Sequence, residues 1–322
     1  MLCLENVTKR YGETLAVDGV SFTAEPGRLV GLLGPNGAGK TSTIRMVTAI
    51  TTPDAGRITL GGETVGPASQ RRMGYLPEER GLYRKLRVGE QLVYLARLKG
   101  MSGAAATAAV KHWLERFDAG DWWGRKTEDL SKGMQQKVQF VATVVHEPDL
   151  VVLDEPFSGL DPINADVLEE VIRELRAAGR TVLFASHRME SVEALCDDVV
   201  LVARGRVVLA GPLRDVKRRF GRDTVSVAWA GPDAWLDALA SDAGSGVRVL
   251  RRSAGQATLR MEGGAPPRRV LDAALAGADE IDRFEVHEPP LEEIFRQAVG
   301  TESLEAESLE RMPVAGDGHR PG

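Results

Sequence analysis

The residues with the clearest chemical potential lie in the segment GPNGAGKT, from Gly34 to Thr41. Its spacing fits the pattern G-x-x-x-x-G-K-[ST], an apolar stretch (RLVGLLG) precedes it, and a helical pattern (KTSTIRMVTAI) follows it. Glycines let main-chain amides turn inward around phosphate oxygens, and the following helix points its positive end at the same anion. We therefore predict a nucleotide-phosphate site formed by Gly34, Pro35, Asn36, Gly37, Ala38, Gly39, Lys40, Thr41 and Ser42.

Two side chains of this loop and two acidic residues far along the chain fit the rest of such a site. Lys40 can reach the β- and γ-phosphates, and Thr41 can ligate Mg²⁺. The apolar segment LVVLDE delivers Asp154, which can hold the Mg²⁺ through water, and Glu155, which can polarise an attacking water as general base. Alone, this segment would indicate only an acidic strand end beside a turn. Together with the loop upstream, it predicts nucleotide hydrolysis.

The surrounding pattern predicts the elements that position these residues. The segments DLVVLDE, TVLFASH, DDVVLVARG and RVVLAG are nearly continuous apolar runs, which suit central parallel strands covered on both faces. Between about 78 and 145 the texture is helical, with Leu92, Leu95 and Leu98 at helical spacing. We therefore expect an α/β domain over 1–220 with a helical insertion.

The remainder of the chain predicts a smaller α+β domain over 223–300. Its strands and helices follow the order β-α-β-β-α-β, which is the ferredoxin-like order. The segment PPLEEIFRQAVG predicts a closing helix, and the polar tail 301–322 is expected to be disordered.

Composition limits the class of protein. The chain has 322 residues, 43% of them hydrophobic, and a net charge of -5, so no basic excess points to nucleic acid. The cysteines, Cys3 and Cys196, lack metal-ligand spacing. No apolar run approaches the ~20 residues of a membrane span, and the N-terminus has no signal pattern. A membrane role would therefore depend on a partner.

Five motifs in order carry a family resemblance: GPNGAGKT, LSKGMQQK, LVVLDEP, SGLD and SH. Over about Leu2–Phe220 the chain resembles the ATP-binding subunit of an ABC transporter. The resemblance implies a P-loop NTPase (RecA-like) core, ATP and Mg²⁺ as cofactors, and ATP hydrolysis coupled to transport. It also implies a membrane permease as partner, a homodimer or a heterodimer with a related ATPase, and a location on the cytoplasmic face of the cell membrane.

The same resemblance implies roles for single residues. Tyr11 resembles the aromatic residue that stacks on adenine, and His187 the switch histidine that contacts the γ-phosphate. Ser131 and Gly133 belong to the signature loop, which caps the γ-phosphate of ATP held by the opposite subunit; serine is also a good helix N-cap, and glycine permits close approach. Asp161 resembles the residue that links the two sites across the dimer.

The chain departs from the family pattern at two places. Glu78 stands where the family usually has glutamine; as a hard oxygen donor it could still ligate the metal, and our hypothesis is that it strengthens Mg²⁺ dependence. In the signature loop, Lys132 and Met134 replace the usual glycine and glutamine. Ser131 and Gly133 remain, so we expect capping to survive.

Partner and cargo are less sharply defined. The segment EERGLYRKLRVGEQL, with Arg80, Arg84, Lys85 and Arg87, lies where the family receives a short permease helix, although a solvated basic face fits its composition as well. YLPEERGLY and the C-terminal domain ending in EPPLEEIFRQAV resemble sodium-extrusion and drug-efflux exporters, which favours export. The alternatives are a soluble ABC ATPase acting in DNA repair or on ribosomes, or a nucleotide-gated regulatory protein.

Overall fold

The computed structural model describes residues 1–79, 81–221 and 223–310, the last ten as main chain only. Arg80 and the part of the predicted tail from 311 to 322 lie outside the described residues. The chain divides into two compact units, one made of Met1–Leu213 with the chain from Ala298, the other of Arg214–Gln297.

The first unit contains two sheets. Its strands are β1 (Leu2–Tyr11), β2 (Thr14–Ala24), β3 (Leu29–Leu33), β4 (Ala55–Leu60), β5 (Glu63–Thr64), β6 (Met73–Leu76), β7 (Leu150–Asp154), β8 (Thr181–Ala185), β9 (Asp198–Ala203) and β10 (Arg206–Pro212). The central sheet has the order β10-β9-β3-β8-β7-β6, and the outer sheet has the order β2-β1-β4-β5. The outer sheet is antiparallel.

Strands β3, β7 and β8 form the middle of the central sheet. Every residue in these three strands is buried, and each strand pairs in parallel with its neighbours. This confirms the prediction of parallel strands covered on both faces, since water contact on either face would require polar side chains. The carboxyl ends of β7 and β3 therefore deliver Asp154 and the glycine loop to one edge of the sheet.

The prediction of a central parallel strand is wrong for RVVLAG. It forms β10, which pairs antiparallel with β9 at the edge of the sheet and is only partly buried. A tight turn at Arg204 and Gly205, both with positive φ, joins the two strands. Such a short connection permits a hairpin but no crossover, so the pair has to be antiparallel.

The helices of the first unit include the predicted helical insertion. They are α1 (Lys40–Val47), α2 (Val88–Leu98), α3 (Gly103–Arg116), α4 (Lys132–Val144), α5 (Pro162–Ala177) and α6 (Met189–Leu195). Helices α2, α3 and α4 fall within the range 78–145 expected for the insertion. The main core joins α1 to both sheets through buried residues that include Leu4, Leu32, Ile44, Ile58 and Leu183.

The second unit has the predicted β-α-β-β-α-β order. After α7 (Leu213–Arg219) come β11 (Thr224–Ala230), α8 (Ala234–Ser241), β12 (Val247–Ser253), β13 (Gln256–Met261), α9 (Arg268–Gly277) and β14 (Glu280–His287). The antiparallel sheet order β12-β13-β11-β14 is ferredoxin-like. Its core contains Trp229 and Trp235, whose rings meet edge to face at 4.9 Å.

The last helix is longer than the sequence suggests. Helix α10 spans Leu291–Glu310, whereas the sequence places its end near Gly300. Residues 301–310 (TESLEAESLE) contain four glutamates and two leucines, which are good helix formers. The disorder expected of the tail from 301 stays a prediction. Among the described residues, no helix combines the length and apolar character needed to cross a bilayer.

Candidate functional site: a phosphate loop and an acidic strand end

The loop between β3 and α1 depends on glycine for its shape. Gly39 has φ 104°, and a Cβ there would lie 2.4 Å from the carbonyl oxygen of Ala16. A Cβ at Gly34 would lie 2.2 Å from the carbonyl oxygen of Val202. Side chains at either position would displace main chain, so the loop packs tightly against its neighbours and leads directly into α1 at Lys40.

Lys40 folds back over this loop. Its ammonium Nζ donates hydrogen bonds to the carbonyl oxygens of Gly34 (2.6 Å) and Pro35 (3.0 Å). Burial lowers the pKa of Lys40, and the negative charges of Glu155, Asp154 and Glu78 oppose that shift. The ammonium therefore lies between the loop and an acidic cluster, where a phosphate group could draw it away from the carbonyls.

Asp154 ends β7 and is almost fully buried, with 7% of its surface exposed. Burial, followed by the negative charges of Glu78 and Glu155, raises the pKa of Asp154 to about 6. Three carboxylates near one ammonium leave this edge of the sheet rich in negative charge. A divalent cation would relieve that repulsion.

Glu155 adopts a main-chain conformation that is rare for non-glycine residues. Its φ is 50°, and its amide donates to the carbonyl oxygen of Ala185 at 2.9 Å. Its carboxylate oxygen Oε1 accepts from the His187 amide (2.6 Å) and lies 2.8 Å from His187 Nδ1, while Oε2 accepts from Ser186 Oγ (3.1 Å). The carboxylate is therefore held in one orientation at the edge of the site.

These side chains share one cavity of about 270 Å³. The sequence had predicted most of its wall, and the structure brings those residues together. It is lined by Ala16, Asn36, Gly37, Ala38, Gly39, Lys40, Thr41, Ser42, Glu78, Asp154, Glu155 and His187.

An adjoining cavity of about 470 Å³ carries the aromatic residue expected at the adenine. Tyr11 is 44% exposed, and its ring lies beneath the Lys9 ammonium at 5.7 Å. Thr41, Glu78 and Asp154 line both this cavity and the previous one. An exposed ring next to the phosphate loop can stack on a planar base.

Six predicted residues do not line the phosphate-loop cavity. Tyr11 lines the adjoining cavity, Gly34 and Pro35 belong to the loop itself, and the other three are Ser131, Gly133 and Asp161. Ser131 caps α4, its Oγ accepting from the Met134 amide at 3.3 Å, and Asp161 caps α5, accepting from the Asn164 amide at 3.0 Å. Near Gly133, the closest atom to an added Cβ would be the Gly159 carbonyl oxygen at 3.4 Å, an ordinary contact. The chain's own packing does not require glycine there.

The sequence interpretation missed Ser186 and Ala16. Ser186 is buried; besides its bond to Glu155, its Oγ accepts from the Arg188 amide at 3.0 Å. Its place directly before His187 in ASH was the only available signal. Ala16 lines the cavity, and its residue type gives no signal of this position.

The donor set at this edge suits Mg²⁺ better than a metal held by protein alone. Asp154, Glu78 and the Thr41 hydroxyl offer oxygen ligands in one cavity. Within the described ranges, no group of three or more His, Cys, Asp or Glu side chains is arranged to hold a metal ion. Mg²⁺ typically binds one or two carboxylates together with substrate phosphates, which agrees with this arrangement.

A third cavity of about 240 Å³ lies between β6 and the helical insertion. Its lining includes Tyr75, Leu82, Leu95, Leu98 and His146. Exposed large apolar side chains are frequent nearby in the chain: Tyr83, Leu86, Tyr94 and Leu98 are each at least 40% exposed. An apolar surface of this kind marks a candidate protein interface.

Comparison with protein families matches both parts of the chain. The model described as "ABC transporter" matches residues 17–158, and that described as "ATP-binding protein DrrA1-3-like, C-terminal domain" matches residues 211–299. The AAA-domain model described as "putative AbiEii toxin, Type IV TA system" matches the shorter segment 124–193, inside the range of the nucleotide-binding motifs.

Several curated proteins are similar over most of their length. The ABC transporter ATP-binding protein YhaQ of Bacillus subtilis is 42% identical over 300 residues, covering 93% of this chain and 99% of that protein. The Nod factor export ATP-binding protein I of Burkholderia lata is 39% identical, with 73% and 79% covered. The linearmycin resistance ATP-binding protein LnrL of Bacillus subtilis is 35% identical, with 70% and 73% covered.

Solved structures agree on the fold. The solved structure of the ATP binding subunit of an ABC transporter has a TM-score of 0.65 and 33% identity, covering 69% of this chain and 93% of that one. A dimeric bacterial ABC transporter cassette has a TM-score of 0.62 at 22% identity, covering 66% and 99%, which shows likeness of fold alone.

Proposed function

Because this chain belongs to the family of ABC transporter ATP-binding proteins, we propose that it binds and hydrolyses Mg²⁺-ATP and thereby drives export through a separate membrane permease. The observation that carries the proposal is the single cavity in which the phosphate loop meets Glu78, Asp154, Glu155 and His187. The family assignment accounts for ATP binding and hydrolysis; the residue roles, the pairing and the direction of transport are the proposal.

Phosphate binding falls to the loop from Gly34 to Ser42. The start of α1 favours the anion, and Lys40 exchanges its carbonyl partners for β- and γ-phosphate oxygens. Tyr11 stacks on the adenine. Thr41, Asp154 and Glu78 would hold Mg²⁺, which would neutralise developing charge on the phosphates.

Hydrolysis falls to Glu155, aided by His187. Glu155 accepts a proton from the attacking water, and its fixed orientation beside the His187 and Ser186 hydrogen bonds aims the carboxylate. His187 is 73% exposed at its side chain, so its ring can turn from Glu155 to a γ-phosphate oxygen.

Two copies, or this chain and a related ATPase, would complete each site head to tail. Ser131 and Gly133 lie outside the chain's own phosphate cavity, and nothing in the local packing calls for glycine at 133. The start of α4 therefore offers its amides to an anion supplied by another subunit, and Asp161 would join the two sites across the same interface.

Export rests on the relatives. Two of them are named for Nod factor export and for linearmycin resistance, and the apolar cavity beside the helical insertion provides a surface for a permease segment. Such a pairing would place the chain at the cytoplasmic face of the membrane. Among the residues that the structure describes, no feature favours the soluble alternatives.

The pairing is tested by trapping the nucleotide-bound state. The Glu155→Gln variant should bind ATP with Mg²⁺ but hydrolyse it at least about 100-fold more slowly, because the general base is lost. Particle mass should double with ATP and stay single with ADP. If the ATP-loaded variant remains a single chain, and a companion ATPase does not restore pairing, the proposal is wrong.

A further inference from the structure

The side chain of Gln139 lies inside α4, facing the loop that carries Glu78. It is 5% exposed, and its amide nitrogen donates to the carbonyl oxygens of Pro77 and Glu79, both at 3.3 Å. The two carbonyls are those immediately before and after Glu78. Each hydrogen of the amide group thus holds one side of that residue.

The orientation of this amide follows from its surroundings. A flipped amide would turn its oxygen toward two carbonyl oxygens, which would repel it, so the nitrogen has to face the loop. This orientation has an energetic cost at the amide oxygen, because Gln139 Oε1 is buried without a hydrogen-bond partner. A buried acceptor left unpaired is unfavourable, and an apolar residue would avoid it. Within the part of the chain that the structure describes, the two bonds made by the amide nitrogen, which an apolar residue would lack, are the polar contacts of this side chain.

Two more side chains on the same face of α4 make similar contacts. Gln136 Nε2 donates to the carbonyl oxygen of Pro156 (3.0 Å), directly after Glu155, and Thr143 Oγ1 contacts the carbonyl oxygen of Tyr75 (3.3 Å). Positions 136, 139 and 143 are spaced by three and four residues and form one stripe of the helix. This stripe connects α4 to main chain on both sides of the phosphate site.

We propose that Gln139 is a positioning residue for the reaction: it clamps the main chain on both sides of Glu78 and so fixes that carboxylate relative to the helix that begins at Ser131. Glu78 is exposed and lies outside any helix or strand, so the two hydrogen bonds from Gln139 limit the motion of its main chain. The inference rests on the proposed role of Glu78 in holding Mg²⁺. The inference adds that helix α4 and the loop that carries Glu78 move together within one chain.

The test replaces the donors while keeping the volume. In the full-length Gln139→Met variant, the half-saturating Mg²⁺ concentration for ATP hydrolysis should rise about 10-fold, since partners that orient a metal ligand typically matter to that extent. ATP binding measured in the presence of EDTA should not change. The amide hydrogens of Glu78 and Glu79 should exchange with solvent faster.

Gln70→Leu is the matched control. Gln70 Nε2 also donates to two main-chain carbonyls, those of Thr48 (3.2 Å) and Ala49 (3.1 Å), outside the phosphate cavity. Its loss should leave both the Mg²⁺ titration and the exchange at Glu78 unchanged. If Gln139→Met unfolds, Gln139→Asn keeps the amide on an arm too short to reach both carbonyls, and the same shifts are expected.

The outcomes separate the two proposals. Unchanged exchange at Glu78 and Glu79 in the Gln139 variant overturns the clamp. A second outcome is faster exchange in Gln139→Met with a Mg²⁺ titration that is unchanged in both Gln139→Met and Glu78→Gln. That outcome overturns the metal role of Glu78 and, with it, the effect of the clamp on the reaction. Faster exchange with a shifted titration supports the inference.

Discussion

Glu155 presents its carboxylate from a main chain in the left-handed region. Few non-glycine residues adopt φ near 50°, and such conformations persist only where the surroundings enforce them. Here the Ala185 carbonyl, the Ser186 hydroxyl and the His187 amide all bind Glu155. The proposed general base is thus positioned by its neighbours on the end of β8, not by its own preference.

The negative charge of Glu78 can be tested for its contribution to Mg²⁺ binding. In Glu78→Gln, an oxygen ligand remains but a negative charge is lost, so half-saturating Mg²⁺ for ATP hydrolysis should rise about 5-fold, or ~1 kcal/mol. Glu79→Gln removes the same charge one position later and should have little effect. An unchanged Mg²⁺ titration in Glu78→Gln would show that this carboxylate does not ligate the metal.

His146 makes the stability of the fold depend on pH. Burial, followed by the charge of Lys99, lowers the pKa of His146 to about 4, from an ordinary value of 6.5. The unfolded chain therefore binds more protons between these values, and this residue's contribution to stability is lost as the pH falls from about 6.5 to 4. The effect should reach about 2 kcal/mol, after allowance for partial solvent contact.

Urea unfolding at pH 7 and pH 5 checks this contribution. His146→Gln should lose less stability between the two pH values than the unchanged chain, since its amide cannot titrate. His112→Gln, at an exposed position, should follow the unchanged chain. If the His146 variant and the unchanged chain lose equal free energy of unfolding between pH 7 and pH 5, the prediction is wrong.

Helix α4 serves the fold and the proposed site at the same time. Its first turn is capped by Ser131, and its buried stripe holds the loops that carry Glu78 and Glu155. Helix α3 begins with the same kind of cap, Ser102 Oγ accepting from the Ala105 amide at 3.3 Å. The two caps have the same hydrogen-bond length, 3.3 Å.

This pair separates stability from function. Ser131→Ala and Ser102→Ala should each lower the free energy of unfolding by about 1 kcal/mol, because one main-chain donor of the first turn loses its acceptor. Only Ser131→Ala should also weaken ATP-dependent pairing of the Glu155→Gln background. Equal pairing in both variants would mean that Ser131 is no more than a helix cap.

At the scale of the whole molecule, the proposed site residues fall into two groups. The proposed catalytic groups gather in one cavity, whereas Ser131, Gly133 and Asp161 lie outside it. The helical insertion adds exposed apolar side chains beside basic ones such as Arg84 and Lys85, which are exposed as well. Both features are explained if further subunits cover these surfaces.

Charge reversal tests the permease surface. Arg84→Glu with Lys85→Glu should weaken co-purification with the permease from membranes by about 10-fold or more, while ATP hydrolysis by the free subunit persists, because these side chains do not line the phosphate cavity. Arg251→Glu with Arg268→Glu changes net charge equally in the other unit and should leave co-purification intact. Undiminished co-purification of the Arg84 and Lys85 variant would place docking elsewhere.

Much of the site could be predicted from the sequence alone because its chemistry is local. Glycines spaced around Lys40 and Thr41 need only a strand before them and a helix after them, and a buried strand ending in Asp154 has a similarly short-range pattern. The ferredoxin-like order of the second unit could be predicted for the same reason, since each helix and strand has its own hydrophobic periodicity.

Only the tertiary structure decided the contacts between distant segments. The contacts of left-handed Glu155 with Ala185 and Ser186 join residues far apart in the chain. The Gln139 hydrogen bonds also depend on main-chain carbonyls. A carbonyl is present in every residue, so residue type does not reveal which one a buried amide will bind. Packing selects the partner, and that choice exists only once the chain has folded.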